Sequence, residues 1–156
     1  MDINKQAKIP FTKEAYERLK SERLRLKKLR EEVIVRLQAA RELGDLSENG
    51  AYKYAKFELG NIGRQLREIN FQLTYGEVKE KGNKDGVIGF GNLVTVKNDE
   101  KSLTFLLVSE YEANPQEAKL SLSSPIGQAV VGKKAGDTIA VTLPAGQTIY
   151  TIVGVK

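Results

Sequence analysis

The stretch Gly44-Asp45-Leu46-Ser47-Glu48-Asn49 separates two long segments in which apolar residues recur every three or four positions. After this stretch the apolar spacing is regular, and the residues are Tyr52, Ala55, Leu59, Ile62, Leu66, Ile69 and Leu73. An unbroken heptad pattern of this length predicts a coiled-coil helix that ends at Gly76. Because so short a link cannot span the length of a helix, the two helices are predicted to form an antiparallel hairpin.

The segment before the turn predicts the other helix of the hairpin. Thr12 follows Pro10 and is a suitable N-cap. The helix is expected to stop near Leu43, because Gly44 is a common C-terminal signal. At about 1.5 Å per residue, two helices of this length give a hairpin of roughly 45 Å. The apolar stripe of this first helix comprises Ala15, Leu19, Leu26, Leu29, Val33, Leu37 and Ala40.

The pattern changes after Gly76, where short β-rich runs replace the heptads. The runs begin at Leu93, Leu103, Thr138 and Thr148, and turn signals divide them into two predicted hairpins. Between the pairs, Ser124 and Pro125 open a predicted short helix as N-cap and first residue. The sequence therefore predicts an α+β protein: a helical coiled-coil hairpin over 1–76 and an antiparallel β-sheet domain with one short helix over 77–156.

Composition limits the function classes. The chain has 156 residues, no cysteine and no histidine, so any metal site must use oxygen ligands, which suits magnesium. No apolar run is long enough for a membrane span and the N-terminus does not resemble a signal peptide, so no membrane partner and a cytoplasmic setting are expected. Residues 1–75 hold 16 basic and 11 acidic residues, whereas residues 76–156 hold 9 of each. The whole excess positive charge therefore lies in the first half of the chain. It indicates either contact with a polyanion or ordinary solvated helix faces.

The acidic turn has two interpretations. In the first, Asp45 caps the second helix and Glu48 occupies its third position, which is an Asp variant of the capping box. In the second, the two exposed carboxylates are half of a metal site. They are too few to hold magnesium alone, but they would complete a phosphoryl-transfer centre on another molecule.

Two segments carry a family resemblance. The stretch from Ala40 to Asn49, followed by Tyr52, resembles the tip of the bacterial GreA/GreB transcript cleavage factors. The stretch from Ser123 to Asp137 is similar to the Ser-Pro-Ile, Gly-Lys and Gly-Asp segment of the same family's C-terminal domain. Leu46-Ser47 in the turn looks more like the GreA branch of the family than the GreB branch.

The resemblance implies a function. Gre factors are not enzymes themselves but stimulate the intrinsic RNA cleavage of bacterial RNA polymerase. The C-terminal domain, which has an FKBP-like fold, docks on the polymerase through positions that match Ser124, Pro125 and Ile126. The coiled coil enters the secondary channel as part of a monomer. Asp45 and Glu48 match the acids that help hold a Mg²⁺ ion of the polymerase active site near the nascent RNA 3′ end, and Asn49 and Tyr52 match supporting tip positions. No cofactor of the factor's own is implied.

A basic flank follows the tip on the second helix and consists of Lys53, Lys56, Arg64 and Arg67. Their spacing places them on roughly one side of the helix, where they are predicted to attract extruded RNA through its phosphates. We expect no aromatic platform beside them and therefore no stacking of bases.

One departure from the family leaves alternatives open. Gre factors usually carry an acid just before the tip tyrosine, whereas this chain has Gly50-Ala51. A Gre-like inhibitor that fills the channel without stimulating cleavage is one alternative, although the retained acids disfavour it. A prolyl isomerase, suggested only by the FKBP-like fold, lacks the aromatic residues of such a pocket. A structural coiled-coil adaptor would leave the acids without a purpose.

Overall fold

The computed structural model describes residues 8–45, 48–82 and 85–156, and the chain divides into two compact units. One unit, which we call the hairpin, holds residues 16–76, and the other, the sheet unit, holds residues 8–15 and 77–156. The sequence prediction assigned 8–15 to the hairpin domain, so this segment differs from it. The physical reason is local: Phe11 is 1% exposed, and Thr12 donates from its hydroxyl and backbone N–H to the carboxylate of Glu112.

The hairpin consists of α1 (Lys13–Arg41) and α2 (Gly50–Tyr75). Thr12 caps α1 as predicted, because its hydroxyl oxygen accepts a hydrogen bond from the backbone N–H of Ala15 at 3.2 Å. The predicted apolar stripes form the contact between the two helices, which confirms the heptad interpretation. The buried residues of this contact are Leu26, Val33, Ala55, Ile62 and Ile69, and Leu19, Leu29, Leu37, Leu59, Leu66 and Leu73 are partly buried around them.

The sheet unit contains a five-stranded sheet with strand order β5-β4-β3-β7-β6. The strands are β3 (Leu93–Lys97), β4 (Ser102–Val108), β5 (Lys119–Ser121), β6 (Thr138–Leu143) and β7 (Gly146–Val155). The hairpins β3–β4 and β6–β7 were both predicted and are antiparallel. The sheet as a whole is mixed, because β5 pairs parallel to β4. Two further short strands, β1 (Ile9–Phe11) and β2 (Gly76–Val78), pair with each other in a separate sheet.

One face of the large sheet carries the core of this unit. Alternate residues of the strands point inward, as a half-buried antiparallel arrangement requires. Helix α3 (Pro125–Val130) contributes Val130 to the same core. The buried members are Ile88, Val94, Val96, Phe105, Leu107, Val130, Ile139, Val141, Tyr150 and Ile152. The α+β class is therefore confirmed, with a helical hairpin and a sheet unit that each bury their own apolar cluster.

Among the described residues, no helix combines the length and apolar character that crossing a membrane would need.

Candidate functional site at the hairpin tip

Asn49 holds the two helix ends together at the tip. Its backbone is extended, and its side-chain oxygen accepts a hydrogen bond from the N–H of Tyr52 at 3.1 Å, which makes Asn49 the N-cap of α2. Its side-chain amide also donates to the carbonyl oxygen of Ala40 at 2.8 Å. That carbonyl belongs to the last turn of α1 and also accepts a hydrogen bond from the N–H of Leu43 at 3.3 Å. One side chain therefore satisfies groups from the end of α1 and the start of α2.

The capping interpretation of the acids is wrong in this respect. Asn49, and not Asp45, is the N-cap of α2, so Glu48 precedes the helix and cannot take the third position of a capping box. Asn49 has a physical advantage over an aspartate, because a carboxylate cannot donate a hydrogen bond to the Ala40 carbonyl. The first turn of α2 contains no acidic residue.

Both tip acids are exposed to solvent. Asp45 follows Gly44, whose φ of +111° lies in the region that favours glycine and turns the chain away from α1. Glu48 lies immediately before the cap Asn49. Both residues therefore lie in the link between the end of α1 and the beginning of α2. Leu46 and Ser47, on which the GreA-like character of the turn was predicted, lie outside the described residues.

The two acids fit a magnesium ion only in part. Carboxylate oxygens are the ligands that magnesium prefers, yet an ion held by one or two carboxylates needs further ligands from elsewhere. Within residues 8–45, 48–82 and 85–156, no group of three His, Cys, Asp or Glu residues is placed to hold a metal. The tip can therefore supply oxygen ligands to a metal site, and the remaining ligands must come from another molecule.

Tyr52 lies just inside α2 and is half-buried. Its backbone N–H donates a hydrogen bond to the side chain of Asn49. The Lys56 ammonium lies over its ring at 5.9 Å from the centroid, within the range of a cation–π interaction. Tyr52 and Lys56 thus form a local pair on the first two turns of the helix. The structure places Asn49 and Tyr52 in contact at the start of α2, and the supporting role that the resemblance implied for them stays a prediction.

A pocket of about 380 Å³ lies beside the tip and was not predicted from the sequence. Its large exposed apolar members are Leu43, with 78% of its surface exposed, and Tyr54, with 64%. Nearby, Arg36 of α1 donates to the Glu58 carboxylate of α2 at 2.9 Å, which ties the two helices together across the pocket's edge. The pocket is lined by Arg36, Ala39, Ala40, Leu43, Ala51, Tyr54 and Ala55.

The predicted basic flank lies on the exposed side of α2. Lys53, Lys56, Arg64 and Arg67 are all exposed. Arg64 donates to the side-chain oxygen of Asn61, and Arg67 passes over Gly63. We expected no aromatic platform beside them, but Phe57 of the same helix has 66% of its surface open to solvent. The heptad pattern concealed it, since that pattern identifies only the residues that face the partner helix.

The predicted docking residues form the start of α3 in the sheet unit. The Ser124 hydroxyl accepts from the Gly127 N–H at 3.0 Å and donates to the Ser121 carbonyl at 2.6 Å, so the predicted cap is confirmed. Ile126 packs against the core cluster, whereas Pro125 is exposed. Gly127 is required by a close approach, because a Cβ there would lie 2.1 Å from the Ser121 carbonyl oxygen. This motif therefore has a structural role whether or not it also binds a partner.

One pair of side chains on α1, away from the tip, has shifted pKa values. Arg25 donates to the Glu22 carboxylate at 2.6 and 2.8 Å. That hydrogen bond lowers the pKa of Glu22 and raises the pKa of Arg25. Both groups are largely exposed, so this pair contributes little to stability.

Comparisons with known proteins agree with this architecture. Residues 9–78 match the family described as "Transcription elongation factor, N-terminal", and residues 83–156 match "Transcription elongation factor, GreA/GreB, C-term". The transcription elongation factor GreA of Thermosipho africanus is 43% identical, with 97% of this chain and 99% of that protein covered. GreA of Thermotoga maritima is 38% identical over 95% of this chain and 97% of its own. The crystal structure of GreA factor homolog 1 of Thermus thermophilus is 27% identical, with 96% and 99% of the chains covered and a TM-score of 0.45. By its two family matches and the two GreA relatives, the chain belongs to the GreA/GreB family of transcription elongation factors.

Proposed function

We propose that this elongation factor binds bacterial RNA polymerase and stimulates the polymerase's own cleavage of backtracked RNA. The observation that carries the proposal is the division of roles at the tip. Asn49 closes the turn, and the exposed Asp45 and Glu48 are not the residues that cap α2. Two exposed acids at the end of a long hairpin, beside a turn that a neutral residue caps, support a role for the tip in contact with another molecule.

The proposal assigns different tasks to the hairpin and to the sheet unit. The sheet domain docks on the polymerase around Ser124, Pro125 and Ile126, where Pro125 offers an exposed apolar ring. The hairpin enters the secondary channel as part of a monomer and carries the tip toward the nascent RNA 3′ end. A partner of RNA polymerase acts in the bacterial cytoplasm, where transcription takes place.

The chemistry belongs to the polymerase, and the factor is not itself an enzyme. A Mg²⁺ ion bound there supplies charge stabilisation and an activated water. Asp45 and Glu48 would add negatively charged oxygen ligands to that polymerase site. Two carboxylates are too few to form a magnesium site alone. Asn49 and the half-buried Tyr52 hold the turn in place, so that the acids are positioned before the polymerase is reached.

The basic flank then has a role in binding RNA. Lys53, Lys56, Arg64 and Arg67 present positive charge along the same helix that follows the acids. They attract the extruded strand through its phosphates, without selecting a base sequence.

The test uses stalled, backtracked elongation complexes with purified full-length protein. Asp45→Asn and Glu48→Gln are each expected to reduce RNA shortening from the 3′ end by at least about a hundredfold, because a metal ligand is lost. Binding to polymerase should persist. Glu42→Gln is the matched control, because it removes an exposed acid at the end of α1 that is not one of the two proposed ligands.

Two results would contradict the proposal. Wild-type protein that inhibits the polymerase without shortening RNA would instead assign it to the channel-blocking class. Shortening by the protein without polymerase would show that it is a nuclease in its own right.

A further inference from the structure

Phe57 is a large apolar side chain that faces solvent on α2. It is 66% exposed, and it lies outside the buried contact between the helices. Within the described part of the chain, no aromatic ring or cation is stacked on it. A single exposed apolar residue is common and carries no meaning by itself. What distinguishes Phe57 is the set of residues beside it.

The space next to the ring is left open by the following turn. Side chains three residues further along a helix lean back over the earlier position. For Phe57 that position is Gly60, where an added Cβ would meet nothing within 4 Å. A glycine inside a helix costs about 1 kcal/mol relative to alanine, so helix stability does not explain it. Asn61, the next residue that leans toward the ring, accepts a hydrogen bond from Arg64.

Positive charge surrounds the ring. Lys53 lies four residues before Phe57 and Arg64 seven residues after it, both on the same side of the helix. None of the four cations of the basic flank takes part in an ion pair with another described residue. The one acid of α2 before Arg67 is Glu58, and its carboxylate is bound by Arg36 at 2.9 Å. The charge on this side is therefore available to a phosphate backbone.

We propose that Phe57 is a stacking platform for one base of single-stranded RNA, with the neighbouring phosphates held by Lys53 and Arg64. An exposed ring with cations on either side is the combination that binds single strands without sequence preference, because every base has a flat face. A base-paired duplex keeps its base faces covered, so the occupant is a single strand. The inference rests on the proposed function, which supplies such a strand in the extruded RNA.

The site lies at a defined distance from the tip. Phe57 is eight residues beyond Asn49, which corresponds to about 12 Å along the helix axis. A strand whose 3′ end lies beside the acids therefore reaches Phe57 only if it is long enough. This gives the platform a measurable signature, which is dependence on the length of the extruded RNA.

The first experiment measures binding of the full-length protein to a short single-stranded RNA that contains 2-aminopurine, at low salt and without polymerase. Stacking is expected to quench the 2-aminopurine fluorescence. Phe57→Leu keeps an apolar side chain but removes the ring, and it should weaken binding roughly tenfold and abolish the quenching. Phe57→Trp should retain both. Tyr75→Leu is the matched control, because Tyr75 is 37% exposed on the same helix but lies at its far end, beyond the four cations.

The outcomes separate RNA from a protein occupant. If Phe57→Leu binds and quenches like the wild type, the platform does not exist. If Phe57→Leu leaves RNA binding unchanged but Phe57→Ala weakens binding to polymerase, the residue contacts the protein instead, which also overturns the proposal.

The second experiment compares backtracked complexes with short and long extruded RNA. Phe57→Leu is expected to leave cleavage of the shortest extruded strands unchanged and to slow cleavage of long ones several-fold. Equal rates for Phe57→Leu and wild type at every length would overturn the platform while leaving the proposed function intact. Absence of stimulated cleavage by the wild type at any length would instead overturn the proposed function, and the quenching experiment would still decide the platform.

Discussion

The hairpin and the sheet unit bury apolar residues in different ways. In the hairpin a single stripe from each helix meets, and every other side of both helices is exposed. In the sheet unit a helix and five strands enclose one cluster in which Val94, Val96, Leu107, Val130 and Ile152 have no measurable exposure. The difference shows why the proposed reactive groups lie on the hairpin: a structure held by one stripe leaves long surfaces open for acids, cations and rings.

The largest expected effect tests this contrast directly. Ile152→Ala in the sheet unit should reduce the free energy of unfolding by about 4 kcal/mol, because the surrounding core cannot collapse into the cavity. Ile62→Ala in the hairpin should cost about 2 kcal/mol, because two helices can close on the lost volume. Both residues are nearly inaccessible, with exposures of 0% and 2%. Denaturant unfolding followed by circular dichroism measures the cost, and hydrogen exchange of peptides assigns it to a region. Equal costs would show that the two cores are packed alike.

A smaller effect is expected from two asparagines, one in each region. Asn49→Ala should cost about 1–2 kcal/mol and increase amide exchange at both helix ends, because it removes the cap and the bond to Ala40. Asn49→Asp should cost less, since it keeps an acceptor for the Tyr52 N–H. Asn98 is the counterpart in the β3–β4 turn, where its side chain accepts from the N–H groups of Glu100 and Lys101. Asn98→Ala should increase amide exchange in that turn alone. If Asn49→Ala left amide exchange at the end of α1 unchanged, Asn49 would not link the two helices.

The smallest expected effect has the opposite sign. Gly60→Ala should stabilise the hairpin by about 0.5–1 kcal/mol, because the site is open and alanine favours the helix. Gly44→Ala is the paired variant and should destabilise by about 1 kcal/mol, because its φ of +111° is strained for any side chain. Thermal unfolding of both variants measures the difference. If Gly60→Ala lost stability, the glycine would be required for the packing or conformation of the hairpin.

The sequence predicted those features that depend on local periodicity and capping. The heptads identified Ile62 and its neighbours as the contact between the helices. Thr12 was recognised as a cap from its position just after Pro10, and Ser124 from the proline that follows it. The two β-hairpins were predicted because turn residues separate runs of β-branched residues. The α+β class followed from the same patterns.

Other features depend on partners distant in sequence. Strands β1, β2 and β5 have three residues each, too few to show an alternating pattern, and the parallel pairing of β5 with β4 is a tertiary choice. At the tip, Asp45 was predicted as the cap, although asparagine is an equally good N-cap residue. The carbonyl of Ala40, nine residues before Asn49, decides between them because only an amide can donate to it. Phe57 was missed because a pattern of buried positions says nothing about the residues it leaves outside.

The amide of Asn49 also has a consequence for how the tip can change. Since a neutral residue closes the turn, the carboxylates can be exchanged, moved or supplemented without redesigning the helix ends. A third acid could be installed at the exposed Ala51, next to Gly50, while the hydrogen bonds to Ala40 and Tyr52 stay in place. Mutation can therefore tune the charge of this end of the molecule independently of its architecture, toward stronger activity or toward none.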